Sequence, residues 1–197
     1  MAIPNEPDPF TIFHAWLDEA MQCDALSEPT AMVLSTVDQE NIPDSRVVLY
    51  KGIEDGGFVF FTNLTSAKAV ELSHNPYAAL CFYWMPLDKQ IRIRGHVEPV
   101  SDALADAYFA DRPKQSQIGA WASKQSTVYT ERFEFERRIA KYGAKYAIGK
   151  VPRPDFWSGF RVVPSAIEFW LKQPYRLHDR LRYLREDGGW RRERLYP

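Results

Sequence analysis

The sequence predicts a mainly β domain with helical additions (α+β), its antiparallel strands curling into a barrel. Three observations carry this. Short runs rich in β-branched and aromatic residues recur along the chain. Turn material such as DQENIPD and EDGG separates them, with helical patterns in only some of the gaps. The 197 residues are 45% hydrophobic and show no repeat, low-complexity tract or long linker, which suits a single domain over 1–197 with a sizeable core.

The first element is a helix over DPFTIFHAWLDEAM (8–21). Asp8 can cap it, Pro9 suits its first position, and Phe10, Phe13, Leu17, Ala20 and Met21 follow helical spacing. Residues 1–8 read as a flexible N-terminus. Strands follow at AMVLSTV (31–37), SRVVLYKGI (45–53) and FVFFTN (58–63). SAKAVELSHN (66–75) is a short helix ended by Asn75-Pro76. YAALCFYWM (77–85) and KQIRIRGHVEPV (89–100) are two more strands. SDALADAYFADR (101–112) is a helix capped by Ser101, and SQIGAWAS (116–123) is a further helical piece. TERFEFERRIAKYGAKYAIG (130–149) is the longest helical pattern. After the Pro-broken connector KVPRPDF come SGFRVVP (158–164), AIEFWL (166–171), YRLHDRLRYLRE (175–186) and WRRERLYP (190–197). EDGG at 186–189 makes the last two a hairpin.

Composition excludes several classes. The formal net charge is −1, where a nucleic-acid-binding domain would show a basic excess. No apolar run reaches the length of a membrane span. The start MAIPNEPDPF has neither a basic nor an apolar signal region, so a cytoplasmic protein is expected. Cys23 and Cys81 are too few for a disulfide framework. The four histidines lack metal-ligand spacing, so no metal is expected. No Gly-rich phosphate loop and no G-x-S-x-G elbow occurs, so any phosphate must be held by side chains and helix ends.

Five stretches are candidates for holding anions, and each also has an ordinary structural explanation. In FTNLTSAKAVEL (61–72) a helix opens near Thr65–Ser66, where free N–H groups and Lys68 attract an anion; taken alone, the stretch is more simply explained by a plain N-cap. In SRVVLYK (45–51), Arg46, Val48 and Tyr50 share one face, and Val47, Leu49 and Lys51 the other. Arg46 and Lys51 either reach a ligand or mark exposed strand ends. In KQIRIRGH, Gln90, Arg92, Arg94 and His96 share the polar face of a half-buried strand, and only the Gln90 amide suits a heterocycle edge. Tyr108, Arg112 and Ser116 recur every four residues around the helix-breaking Pro113, a set able to hold a phosphate or simply a packed ring and surface charges. In QPYRLHDRLRY, the alternation of Arg176, His178, Arg180 and Arg182 would put all four on one face of a strand. An anion would then relieve their repulsion, unless they guard an exposed edge. Trp170 is either core or a flat surface for a ring.

Read together, PTAMVLSTVD…SRVVLYK, FFTNLTSAK, YFADRPKQSQIGAWASKQS, FWSGFRVVPSAIEFW and RLHDR closely resemble the pyridoxine/pyridoxamine 5'-phosphate oxidase family, in the same order from about Asp8 to Pro197. The combination RPxxSQIGAWxSxQS with FWxGFR and RLHDR is specific, whereas each fragment alone is weak. The resemblance implies an FMN-binding split β-barrel and a homodimer with active sites at the interface. It implies oxidation of pyridoxamine or pyridoxine 5'-phosphate to pyridoxal 5'-phosphate, with dioxygen as acceptor. It assigns FMN contacts to Arg46, Val47, Val48, Leu49, Tyr50, Lys51, Phe61, Thr62, Lys68, Gln90, Gln125, Ser126, Trp170 and Arg180. It assigns the substrate phosphate to Lys51, Tyr108, Arg112 and Ser116, and the catalytic side of the substrate ring to Arg176 and His178. Arg182 stays unassigned.

Two departures are visible. The segment SAK carries Ala67 where family members have an Arg toward the FMN phosphate, and MAIPNEP holds no Lys or Arg to form a basic lid. The competing expectations are a split-barrel oxidase of another heterocycle, of the phenazine-pathway type, a non-catalytic flavin or pyridoxal-phosphate carrier, and an RNA-binding barrel using the arginine-rich C-terminus.

Overall fold

Asp8 and Pro9 start the first helix where the sequence places it. In the computed structural model, which describes residues 2–197, α1 spans Pro9–Met21, and the Asp8 side chain accepts a hydrogen bond from the Phe10 N–H at 3.1 Å. Such a cap contributes about 1 kcal/mol. Ile12, Phe13 and Trp16 point from α1 into the core. Phe13 meets Tyr50, Phe58 and Phe82 edge-on, and Trp16 meets Phe169. Burying each such side chain is worth about 1.5–3 kcal/mol, so α1 serves as the plug of the barrel.

The strands are β1 (Ala31–Val37), β2 (Pro43–Leu49), β3 (Ile53–Glu54), β4 (Gly57–Asn63), β5 (Tyr77–Trp84), β6 (Lys89–Pro99), β7 (Trp157–Leu171), β8 (Asp179–Glu186) and β9 (Gly189–Arg194). They form one antiparallel sheet in the order β2-β1-β5-β6-β7-β4-β3, with β8 and then β9 branching from β7. This is the mainly β, antiparallel architecture with helical additions that the sequence predicts. Strand alternation does the sorting. Leu34, Leu80, Phe82, Ile91, Ile93, Ile167 and Phe169 enter the core, while Arg92, Arg94 and His96 stay outside.

The sequence expects two strands at 158–164 and 166–171, because Pro164 lacks an N–H. One 15-residue strand is found instead. Pro164 is tolerated because it falls in a gap. One edge of β7 pairs with β4 only up to Val162 and with β8 only from Ala166, and the opposite edge takes a bulge where Arg94 faces Ala166 and Gly95 faces Pro164. Other boundaries also differ. β2 stops at Leu49, and Gly52 with φ 107 separates it from β3. The helix expected over 130–149 is the shorter α5 (Glu134–Lys145), preceded by Phe133 in the left-handed region. No side-chain cap supports an earlier start, so α1 is the longer helix. Residues 2–8, where the sequence suggests mobility, lie along β8 and β9. Ile3 is buried and donates its N–H to Asp179 at 2.7 Å, and the Tyr183 hydroxyl donates to the Glu6 carbonyl at 2.7 Å.

Tyr50 shows what this core does to a polar group. Burial pushes its phenol up to about 12. The folded value lies above the unfolded one, near 10, so its stabilising contribution is complete below about pH 10 and is lost as pH rises toward 12. Between about pH 8 and pH 11.5 the wild type should lose about 2 kcal/mol more unfolding free energy than Tyr50→Phe. Denaturant titrations would show it, and parallel pH profiles would exclude it.

Candidate active site

β4 is buried on both faces. Phe58 and Phe60 join the main core, while Phe61 joins a second cluster built on α3 (Asp102–Asp111), α4 (Lys114–Ala122) and the start of β7. A cavity of about 650 Å³ opens between that cluster, β2 and α2 (Ala67–His74). It brings together Arg46, Val47, Val48, Leu49, Lys51, Phe61, Thr62, Lys68, Tyr108, Arg112, Ser116 and Gln125. All twelve are nominated from the sequence, from segments up to about eighty residues apart.

Tyr50 is not among them, because its side chain is turned into the core. Ser126, with φ 69, lies beside the cavity and faces two smaller clefts. The sequence did not single out Trp157, Asn63, Gly119, Ala120 or Ser123, which also line the wall. An aromatic opening FWSGFR was visible, but nothing in it told that Trp157 meets Tyr108.

The cations fall into two groups. In the first, Arg46 Nη2 donates to Glu71 at 3.0 Å and to Asp44 at 2.5 Å, and Nη1 donates to Thr36, whose hydroxyl donates to Glu71. Glu71 is thus a supporting residue that the sequence reading missed. Lys68 is buried, and its Nζ donates to Ser66 Oγ at 3.3 Å. Burial, and then the neighbouring Arg46 charge, push its ammonium below the usual lysine range, with Glu71 and Asp44 opposing. Ser66 opens α2 but does not cap it, since its hydroxyl donates to the Asn63 carbonyl at 2.7 Å. Asn63 Oδ1 holds the Thr65 N–H and hydroxyl, both at 2.7 Å. The leading N–H groups of α2 therefore have no side-chain acceptor, and they add positive potential next to Lys68.

In the second group, the rings of Tyr108, Phe61 and Trp157 lie within 3° of parallel, with centroids 4.0 Å apart for Phe61–Tyr108 and 5.3 Å for Phe61–Trp157. Arg112 lies over Trp157, its guanidinium carbon 4.9 Å from the ring centre. It makes no ion pair among the described residues, and its Nη1 is buried without a hydrogen-bond partner. Burial lowers its pKa, with Tyr108 opposing. Lys51 Nζ is 5.9 Å from the Tyr108 ring centre. Ser116 sits in the first turn of α4, behind Pro113, where no side chain caps the helix.

The remaining nominated residues are elsewhere. Gln90, Trp170 and Arg180 form one row across β6, β7 and β8. Trp170 packs on His178 at 4.5 Å between ring centres. His178 Nδ1 accepts from the Gln173 N–H at 3.3 Å, so the neutral ring carries its proton on Nε2. None of Gln90, Trp170, Arg176, His178 or Arg180 lines the cavity.

The expected four-residue cationic face is also overturned. Tyr175 and Arg176 have φ of 59 and 63 in a short turn, and β8 begins only at Asp179. Arg180 and Arg182 do share a face, but carboxylates of this same chain meet them. Arg180 pairs with Glu168 at 2.7 Å, and Arg182 pairs with Glu193. Short-range alternation cannot see acids that arrive on neighbouring strands.

Among the described residues no group of three or more His, Cys, Asp or Glu is placed to hold a metal, and no helix is long and apolar enough to cross a membrane.

Comparison with known proteins gives a consistent picture. The family description "Pyridoxamine 5'-phosphate oxidase" matches residues 17–156, and "Pyridoxine 5'-phosphate oxidase C-terminal dimerisation region" matches residues 157–197. A pyridoxine/pyridoxamine 5'-phosphate oxidase of Bradyrhizobium diazoefficiens is 54% identical over 96% of this chain and 90% of its own length. That of Rhodospirillum rubrum is 52% identical over the whole of both chains. Among solved structures, PhzG from Burkholderia lata 383, in complex with tetrahydrophenazine-1-carboxylic acid, superposes with a TM-score of 0.91 at 31% identity, covering 98% of this chain and 94% of its own.

Proposed function

The chain belongs to the pyridoxine/pyridoxamine 5'-phosphate oxidase family, and on that premise we propose that it makes pyridoxal 5'-phosphate from either phosphorylated precursor. Pyridoxine 5'-phosphate and O2 give pyridoxal 5'-phosphate and H2O2. Pyridoxamine 5'-phosphate, O2 and water give the same two products and ammonia. The cofactor is FMN, which when bound takes a hydride from substrate C4' and delivers the electrons to O2.

The residues present fit that cofactor. Lys68 and the open start of α2 supply a cationic end for its phosphate, with Arg46, already paired to Asp44 and Glu71, lining the wall beside them, while Thr62 and Gln125, 3.4 Å apart, supply hydrogen-bonding groups along the same wall. Ala67 stands where the resemblance implies an arginine, so Lys68 and the helix start have more of the phosphate to hold.

A single observation carries the substrate reading. Arg112 Nη1 is buried without a partner in a cavity shared with Lys51, Tyr108 and Ser116. A phosphate monoester provides the acceptors that such a donor lacks, and holding it fixes the register of the attached ring. A second reading follows from the PhzG likeness: a substrate without phosphate. A carboxylate on such a substrate would also accept from Arg112, but it does not call for Lys51, Tyr108 and Ser116 together, and the support for this reading is the more distant relative.

The set Gln90, Trp170, Arg176, His178 and Arg180 lies outside the cavity, except that Gln90 aside it falls wholly within the region matched as a dimerisation region. In our reading a second copy of the chain brings these residues to the cavity. Arg176 then orients the substrate's amine or hydroxyl on C4', and His178 assists removal of the hydroxyl proton when the substrate is the alcohol. Mixing Arg112→Ala and His178→Ala chains under conditions of subunit exchange, with substrate far below the KM of Arg112→Ala, should then restore about a quarter of wild-type activity, because half the dimers carry one intact site of two. No recovery with demonstrated exchange would rule out shared sites.

Lys68→Met should act in opposite directions on two measurements. Removing a buried ammonium stabilises the apoprotein by about 1 kcal/mol, while FMN affinity, read by quenching of flavin fluorescence, falls about 10–100-fold. Equal FMN affinity in the two proteins would withdraw Lys68 from the cofactor site.

The reading as a whole is tested by supplying pyridoxine 5'-phosphate in air to the FMN-loaded protein. Equal amounts of pyridoxal 5'-phosphate and H2O2, both absent with unphosphorylated pyridoxine, are expected. Bound flavin with no turnover of either phosphorylated substrate would favour the phosphate-free alternative.

A further inference from the structure

Most half-buried arginines in this protein are held by carboxylates, and Arg138 by the Ala122 and Trp121 carbonyls. Arg46 has Asp44 and Glu71, Arg153 has Asp102 and Asp106, and Arg161 has Asp55 and Glu98. Arg112 is different. It has no acid, and the faces beside it are aromatic, Trp157 at 4.9 Å and Phe109 at 5.6 Å. We propose that Trp157 is a positioning residue for phosphate recognition, its indole face seating the Arg112 guanidinium in place of a carboxylate. The inference rests on the reading of this cavity as a phosphate site.

The physical reason is competition. A carboxylate would orient Arg112 but would cancel its charge and occupy its N–H groups, both of which a phosphate needs. An aromatic face attracts the cation through its quadrupole and takes up no N–H in the guanidinium plane. It also offsets part of the cost of keeping a charge in a buried place, and Nη1 stays free for an oxyanion.

Trp157 is itself held for this task. Its carbonyl accepts from Arg153 Nη1 at 2.8 Å, and Arg153 is fixed by two acids of α3, the helix that carries Tyr108. Its ring is parallel to Phe61 and Tyr108, and Phe109 meets it edge-on at 5.0 Å. Gly159 permits the closeness of this packing, since a Cβ there would come 2.7 Å from the Phe61 ring. The start of β7 and the end of α3 are thereby locked together around one guanidinium.

The test varies the electronics of the ring with its shape nearly kept. Tryptophans of increasing fluorination are placed at position 157 by site-specific incorporation, and Trp157→Phe and Trp157→Leu are made alongside. Inorganic phosphate is the probe, read as its inhibition constant against pyridoxine 5'-phosphate in the FMN-loaded dimer, with kcat followed separately. The inhibition constant and KM should rise stepwise with fluorination, to about tenfold for the most fluorinated ring and for Trp157→Leu, with Trp157→Phe retaining most of the affinity and kcat changing less than about twofold. A flat response to fluorination would overturn the proposal, as would equal losses in Trp157→Phe and Trp157→Leu. Arg112→Ala separates the two levels. If it leaves phosphate inhibition unchanged, the phosphate reading itself fails; if it abolishes inhibition while fluorination has no effect, only the role of Trp157 fails.

Discussion

Arg112→Ala should raise the KM for pyridoxine 5'-phosphate about 100- to 1000-fold, with a smaller effect on kcat. The variant removes a charge-assisted donor pair from a partly desolvated site, where such bonds are at their strongest. Misfolding will not account for the loss. Arg112 has no ion pair to break, and burial already works against its charged form, so removing it leaves no orphaned acid behind. Arg112→Lys should recover part of the affinity, since it restores the charge without the planar fork. Steady-state kinetics with the phosphorylated and unphosphorylated alcohols in parallel would decide. A KM within about threefold of wild type would remove Arg112 from the substrate site and, with it, the strongest argument against a phosphate-free substrate.

Gly95→Ala should lower stability by about 3 kcal/mol or more, a fall in Tm of about 6–12 °C for a chain of this length. A Cβ at Gly95 would lie 2.0 Å from the Val163 carbonyl oxygen and 2.9 Å from Pro164 Cα. Both neighbours are backbone, so no side chain can swing away. The position matters beyond stability. The bulge sits where β7 changes partner from β4 to β8, between the half that carries Trp157 and the half that carries Trp170. Opening it would shift the two halves against each other, so activity should fall further than the loss of folded protein explains. A variant with wild-type Tm would show that the backbone at the bulge yields more easily than its geometry implies.

Much of the fold was legible residue by residue. Asp8-Pro9 started α1, Ser101 capped α3 with a bond from the Leu104 N–H at 3.2 Å, and Asp187-Gly188 turned the last hairpin. These signals are local, and the interactions behind them span a few residues. The long strand β7 was not legible, because the exemption for Pro164 depends on which strands lie beside it. The helix pattern over 130–149 was overextended for a related reason: periodicity shows which residues share a face, while the ends depend on caps and neighbours.

Twelve of the residues nominated on the strength of a multi-part resemblance line one cavity, though they come from stretches that singly had plain structural explanations. Their sorting was beyond the sequence. Alternation placed Arg46, Val48 and Tyr50 together, yet Arg46 reaches Glu71 on α2 while Tyr50 is enclosed by Phe13, Phe58 and Phe82. By itself the sequence determined the strand-rich class, the capped starts of α1 and α3 and the family, because these follow from short-range propensity and from motif order. Only the tertiary structure decided which charges are spent inside the chain and which are left free. Arg180 and Arg182 find Glu168 and Glu193 on adjoining strands, whereas Arg112 finds a tryptophan, and a charge's partner is set by distance in space, which sequence spacing does not report.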